Sequence, residues 1–219
     1  MPEEKKVRGK KKKQQKKKDP KKLEILNDCA ALGRACNKVG DFDDAKRYFK
    51  RTKEGYEEQL GRNSEKALDA NYWMVTCTAM SEADRIEKTR DLVKRMERAL
   101  GEENVVTLET RNSLGNALSR NEQYEEAKEV HEKCLAGRMK ALGEEHRDSL
   151  DTLTNLGGVY NDGFGNFEKA AEYFERAYKG SERLLGTNHP TTLSVVECIS
   201  NCYSGFASQR AVTAQGSQN

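Results

Sequence analysis

The sequence predicts an all-α protein, an extended array of about four helix–turn–helix repeats followed by one further helix. Composition argues against a single thick core, since 34% of the 219 residues are charged and only 35% are hydrophobic. An aromatic content of 7% and three prolines favour helices over strands. A repeated spacing of about 42 residues then decides the arrangement.

The repeat is marked by Leu-Gly pairs at nearly constant intervals, with glycines 40, 42 and 43 residues apart. The pairs are Leu60-Gly61, Leu100-Gly101, Leu142-Gly143 and Leu185-Gly186. A recurrent leucine follows seven residues after each glycine, at Leu68, Leu108, Leu150 and Leu193, and Leu26 holds the same register in the first unit. Such a period predicts stacked copies of one structural unit.

Each repeat is predicted to contain two amphipathic helices joined by a short turn. In the fourth repeat, apolar side chains recur at helical spacing along residues 150–160. Gly40 and Gly165 suit the backbone that ends a helix, and Asp41 and Asn166 are expected to cap the next one. Small residues recur where paired helices should approach closely. They are Gly33, Gly115 and Gly157 on the first helices and Ala45, Ala127 and Ala170 on the second.

These features resemble the tetratricopeptide repeat. The alanines follow three residues after Phe42, Tyr124 and Phe167, as in the aromatic-x-x-Ala turn of that family. The long period and the Leu-Gly-x-x-His-Pro segment at 185–190 are similar to the repeats of kinesin light chains. The resemblance implies a right-handed superhelical solenoid whose first helices line a concave, peptide-binding face, and a protein that binds other proteins without catalysing a reaction.

Three segments are predicted: a disordered Lys-rich tail at 1–22, the repeat domain at 23–203 and a flexible C-terminal tail at 204–219. The expected repeats span 23–61, 62–101, 102–143 and 144–186, with a final helix at 189–203. Repeat two departs from the pattern, because Met80-Ser81-Glu82-Ala83 replaces the turn. No apolar heptads precede the repeats, unlike those by which kinesin light chains join a heavy chain.

Polar residues on the first helices are the candidate peptide-binding residues, since an asparagine amide can both donate to and accept from a peptide backbone. The predicted set is Arg34, Tyr72, Asn112, Asn116, Asn155 and Asn201. Asn112 and Asn155 each precede a leucine by one or two residues, which resembles the Asn-Asn-Leu of the kinesin light chain groove. Two alternatives remain: the asparagines are solvated surface residues, and the neighbouring Trp73 packs between helices or anchors a ligand.

No catalytic, metal or cofactor site is predicted. The six cysteines form no C-x-x-C pair and are interpreted as buried packing residues. His146 and His189 lie in turns, and His131 occupies the place held by Phe49 and Phe174, where it is expected to be packed. No Ser, Cys or carboxylate accompanies the histidines in a repeated arrangement suited to acid–base chemistry.

The N-terminal segment is strongly basic. Residues 1–22 hold eleven Lys and one Arg against three acids, a net charge of +9, and the rest of the chain carries −6. The basic run comprises Lys10, Lys11, Lys12, Lys13, Lys16, Lys17 and Lys18. It could act as a nuclear-import signal, as a nonspecific contact with nucleic acid or an anionic surface, or as a solubilising extension.

The leading hypothesis is an adaptor, located in the cytoplasm or nucleus, whose concave face binds a segment of another protein. No stretch approaches the length of a membrane span, and the Lys-rich start lacks the apolar stretch of a secretory signal. The alternative is a nucleic-acid- or anionic-surface-associated protein that acts through its Lys-rich segment. A third hypothesis is self-association through the ends of the repeat array.

Overall fold

The computed structural model describes the backbone of residues 18–216 and the side chains of residues 18–209. Its helices are α1 (Pro20–Lys38), α2 (Phe42–Leu60), α3 (Glu65–Thr76), α4 (Glu82–Leu100), α5 (Val105–Arg120), α6 (Tyr124–Leu142), α7 (Arg147–Gly158), α8 (Phe167–Leu185) and α9 (Pro190–Gly216). A π-helical turn at Val159–Gly163 continues α7. The helices form four pairs followed by α9, which confirms the all-α repeat solenoid.

Both ends of the predicted repeat domain need correction within the described residues. Helix α1 begins at Pro20 rather than 23, because the Asp19 carboxylate accepts a hydrogen bond from the backbone N–H of Lys21 at 3.0 Å. Helix α9 continues to Gly216, so residues 204–216 are helical and not the flexible tail that was predicted. Ala and Gln are good helix formers, and no proline interrupts this segment. Residues 1–17 and 217–219 lie outside the described residues.

The helix ends follow the predicted signals. Each second helix stops at the glycine of a Leu-Gly pair, where φ lies between +89° and +96°, a conformation that L side chains rarely adopt. Asp41 and Asn166 cap α2 and α8 by accepting backbone N–H hydrogen bonds at 3.1 Å from Asp44 and Lys169. The local turn chemistry is therefore sufficient to separate the helices.

Paired helices meet through a glycine on one helix and a ring on the other. A Cβ atom added to Gly33 would lie 2.9 Å from Phe49. Added to Gly157, it would lie 2.5 Å from Phe174. Gly115 and His131 form the equivalent contact in the third pair, and the alanines predicted to pack nearby are fully buried. These contacts confirm why small residues recur in register.

Repeat two lacks these contacts, as its sequence indicated. Val75 stands at the first-helix glycine position, and Thr89 stands where the other repeats have a ring. Arg85 takes the alanine position and donates hydrogen bonds to the carbonyl oxygens of Val75 at 3.3 Å, in the last turn of α3, and of Thr78 at 3.4 Å, just after that helix. An arginine that caps α3 thus replaces a small packing residue.

All six cysteines are free thiols. Cys29, Cys77, Cys134 and Cys202 are buried, whereas Cys36 and Cys198 are half-buried, in keeping with the predicted packing role. Burial raises the pKa of the Cys134 thiol, which disfavours the reactive thiolate.

Across the described residues, no helix combines the length and apolar character needed to cross a membrane.

Candidate peptide-binding groove

A row of polar contacts joins the first helices of successive repeats. Carboxylates stand one position after the recurrent leucine in three consecutive repeats, at Asp69, Glu109 and Asp151. Asp69 on α3 pairs with Arg34 on α1 at 3.2 Å. Glu109 on α5 accepts a hydrogen bond from the Tyr72 hydroxyl on α3 at 3.4 Å. Each of these two carboxylates links its helix to the first helix of the preceding repeat.

Asn112 continues the row from α5 to α7. Its amide nitrogen donates to the Asp151 carboxylate at 3.3 Å, and its amide oxygen accepts a hydrogen bond from Asn155 at 3.1 Å. Only 5% of Asn112 is exposed, so this predicted binding residue serves as an internal link between repeats. Asn155 is half-buried and keeps its amide oxygen available.

The aromatic residues near the start of the row are largely packed. The Tyr72 hydroxyl lies 2.8 Å from the Ser113 hydroxyl, and burial raises the pKa of Tyr72. The Trp73 ring is half-buried and stacks on Phe49 with 5.7 Å between ring centroids. The structure therefore favours interhelical packing for Tyr72 and Trp73 over a role as exposed anchors.

The other three predicted residues share one register position, eight residues after the recurrent leucine. Arg34 and Asn201 are exposed, near the two ends of the array. Asn116 lies between them, half-buried, and its amide forms no hydrogen bond with any described residue. These positions keep polar groups available to a ligand.

The carboxylates in the row lie in a partly dehydrated environment. Burial raises the pKa of Asp69, Glu109 and Asp151, because it disfavours their ionised forms. The positive charge of Arg34 opposes this shift at Asp69, and that of Arg138 opposes it at the other two. The row therefore presents negative charge that nearby arginines partly balance.

A cavity of about 380 Å³ lies beside the row, between α7, α8 and α9. Its polar wall includes Arg147, Asp151 and Thr154, and its apolar wall includes Leu150 and Leu184. Sequence reasoning missed this cavity. One signal was present, because Thr154 follows its recurrent leucine by four residues, as Tyr72 and Asn112 follow theirs.

The histidines have structural roles. His146 and His189 cap α7 and α9 through Nδ1, which accepts the backbone N–H of Asp148 and of Thr191, each at 3.2 Å. His131 is fully buried against Gly115, as expected. Among residues 18–216, no three His, Cys, Asp or Glu side chains are arranged to hold a metal ion. In the basic run, Lys18 is exposed, and Lys10–Lys17 lie outside the described residues.

Comparisons with known proteins agree with this architecture. Residues 105–183 match the family model of the tetratricopeptide repeat. Similar solved structures include two crystal structures of a Podosopora anserina protein that is described as a kinesin light chain with nearly identical TPR-like repeats. Each has a TM-score of 0.68 and 19% identity, covering 89% of this chain and 92% of that chain.

A second similar protein is BtubC (BKLC) from P. vanneervenii, with a TM-score of 0.62 and 21% identity over 81% of this chain and 70% of that chain. A search of curated proteins finds no significant match. Tetratricopeptide solenoids are typically non-enzymatic scaffolds for protein–protein interaction. The register of leucines and glycines, the helix pairs and these matches together give the chain the fold of a TPR-like helical solenoid, within which residues 105–183 match the tetratricopeptide repeat.

Proposed function

We propose that this protein is an adaptor that binds an extended segment of a partner protein along its first helices. We call this surface the inner groove and define it by Arg34, Asn116, Asp151, Asn155 and Asn201. The supporting observation is the half-buried Asn116 amide, which forms no hydrogen bond with the described residues. A peptide backbone could supply both the donor and the acceptor that this amide lacks.

The chemistry around Asp151 suggests what such a segment carries. Asp151 is accessible to solvent as a residue although its carboxylate is partly dehydrated, and that carboxylate accepts a single hydrogen bond from Asn112 and borders the 380 Å³ cavity. A Lys or Arg of the partner would pair with this carboxylate, and a neighbouring apolar side chain would enter the cavity against Leu150 and Leu184.

A random peptide library displayed on phage tests this proposal, because it samples many segments and requires no identified partner. Peptides enriched on the intact chain should bind at least tenfold more weakly to a variant with Asn116→Ala and Asn155→Ala. Asn112 stays unchanged because it holds α5 to α7. The matched control, Asn63→Ala with Asn121→Ala, removes two exposed amides in turns and should bind as the intact chain does.

The proposal fails if no peptide is enriched, or if the enriched peptides bind equally well to the groove variant and to the control. Circular dichroism first establishes that both variants are folded. An Asp151→Asn variant then tests the charge preference, since peptides containing Lys or Arg should lose more affinity than neutral ones.

A further inference from the structure

The irregular second repeat contains a cleft whose lining differs from that of the regular repeats. In the first, third and fourth pairs, the recurrent leucine packs against a second glycine: Leu26 on Gly55, Leu108 on Gly137 and Leu150 on Gly180. In repeat two the equivalent position on α4 is Arg95, and Arg85 takes the alanine position. Since two arginines replace small residues, α4 cannot pack on α3 as closely as its counterparts do.

The resulting space is a cleft of about 410 Å³ between α2, α3 and α4, which we call the α4 cleft. Its apolar lining includes Met74, Val75, Met80 and Leu92. Methionine side chains are flexible and polarizable, so this wall can adapt to apolar groups of different shape. The volume lies within the usual range for sites that take a small ligand or a few side chains.

The charged lining of the α4 cleft is mainly positive, with Lys46, Lys88 and Arg95 against the single acid Asp91. Lys46 and Lys88 are exposed and form no ion pair with any described residue. Residues 23–219 carry a net charge of −6, so a cleft with this excess of cations contrasts with the body around it. Two unpaired lysines beside an apolar wall suit a ligand that is both acidic and apolar.

The α4 cleft is separate from the inner groove. An α-helix turns about 100° per residue, so Met74 projects about 200° away from Tyr72 on α3. On α3 the row of polar contacts beside the inner groove uses Asp69 and Tyr72, whereas the cleft uses Asn71 and Met74. Binding at one site therefore leaves the other accessible.

We propose that the α4 cleft is a second peptide-binding site, which takes an acidic segment of a protein through one aliphatic or phenyl side chain. The apolar side chain packs against Met74, Met80 and Leu92, and flanking Asp or Glu residues pair with Lys46 and Lys88. The protein can then hold two partner segments on opposite faces of one repeat array.

The test uses a fluorescein-labelled peptide, Glu-Glu-Asp-Leu-Phe-Glu-Asp-Glu, and the full-length chain. Fluorescence anisotropy should give a Kd on the order of 10–100 µM that weakens as salt is added. Replacing Leu-Phe by Ser-Ser, or all the acids by Lys, should weaken binding at least tenfold. The variant with Lys46→Glu and Lys88→Glu should also bind the peptide at least tenfold more weakly, since it reverses both charges at exposed positions.

The matched control is Lys50→Glu with Lys94→Glu, which makes the same charge change at exposed positions of α2 and α4 outside the cleft. It should retain binding to within about threefold. In a sample with ¹³C-labelled methionine methyl groups, the peptide should shift Met74 and Met80 and leave Met139 unchanged. Three results overturn the proposal: no binding at 1 mM protein, equal weakening by both charge-reversal pairs, or binding without shifts at Met74 and Met80. None of these results would contradict the inner-groove proposal, which is tested separately with the Asn116→Ala and Asn155→Ala variant.

Discussion

The Arg138 guanidinium lies 2.7 Å from the Glu109 carboxylate and joins three helices. It is carried by α6 and donates to Glu109 on α5, and it also donates to the Thr152 hydroxyl at 2.7 Å and the Asp148 carbonyl oxygen at 2.8 Å on α7. Only 2% of Arg138 is exposed. A buried arginine with three hydrogen bonds thus links repeats three and four, next to the inner groove.

Removing this arginine should weaken the junction. We expect Arg138→Met to lower the free energy of unfolding by about 2–3 kcal/mol, because three hydrogen bonds are lost although the half-exposed Glu109 can be rehydrated. Glu109→Gln should cost about 1 kcal/mol or less, because the amide oxygen still accepts from Arg138. Urea unfolding of both variants measures the difference. Equal stability of Arg138→Met and the wild type would show that the link is dispensable.

Two adjacent glycines offer an internally controlled test of helix packing. A Cβ on Gly157 would lie 2.5 Å from Phe174, whereas a Cβ on Gly158 would meet nothing within 4 Å. We expect Gly157→Ala to destabilise the protein by about 1–3 kcal/mol through overpacking. Gly158→Ala should stabilise it by about 0.5–1 kcal/mol, since alanine loses less backbone entropy in a helix. Thermal unfolding distinguishes the signs, and equal shifts would refute the packing argument.

His131 should make stability depend on pH. Its ring nitrogens form no hydrogen bond with the described residues, and burial, reinforced by the charge of Arg138, lowers the pKa of His131 to about 4. An unfolded histidine has a pKa of about 6.5, so between pH 6.5 and 4 the unfolded chain binds a proton that the folded chain excludes. Stability contributed by neutral His131 is therefore lost as pH falls through this window.

Replacing His131 by phenylalanine should remove this pH dependence of stability. The ring should fit the site, since Phe49 and Phe174 pack on glycine in the same register. Between pH 7.5 and pH 5, the wild type should lose about 2 kcal/mol of unfolding free energy relative to His131→Phe. Urea titrations at both pH values measure this difference. His146→Asn, at an exposed helix cap, is the control and should follow the wild type.

The Asn112–Asp151 contact can be tested with an isosteric change. Asn112→Asp places a second carboxylate where the amide now donates at 3.3 Å, so we expect a loss of about 1–2 kcal/mol at pH 7. Repulsion raises the pKa of the carboxylate pair above its unfolded value, so the loss should shrink as pH falls toward 5. Asn116→Asp, one turn further along α5, should change stability by less than about 0.5 kcal/mol. Similar effects of the two changes would argue against the link.

The repeat architecture was largely predictable because its signals are local. Gly61 and Gly186 end helices through a backbone conformation that other residues rarely adopt, and Asp41 caps the helix that follows it. The recurrence of Gly33, Gly115 and Gly157 also indicated where helices touch. The second glycine contact, such as Leu150 on Gly180, could have been found from the same register.

Some of the predicted binding residues are buried and others are accessible, because burial depends on neighbouring repeats. Tyr72 and Asn112 were selected as surface residues, but each hydrogen-bonds to a residue on the next first helix, 39 to 43 residues further along the chain. The C-terminal helix was misjudged for another reason: its Ser- and Gln-rich composition resembles a tail, although nothing in residues 204–215 stops the helix formed by α9.

The sequence alone determined the helix class, the period of the repeats and the position of each turn, since these depend on spacing and on the conformations open to Gly, Asp and Asn. Only the tertiary structure decided which polar residues became links between repeats, which stayed available in the inner groove, and that Arg85 and Arg95 leave a basic, Met-lined cleft. Stacking brings residues one repeat apart into contact, and the resulting burial and charge arise from those neighbours rather than from any single segment.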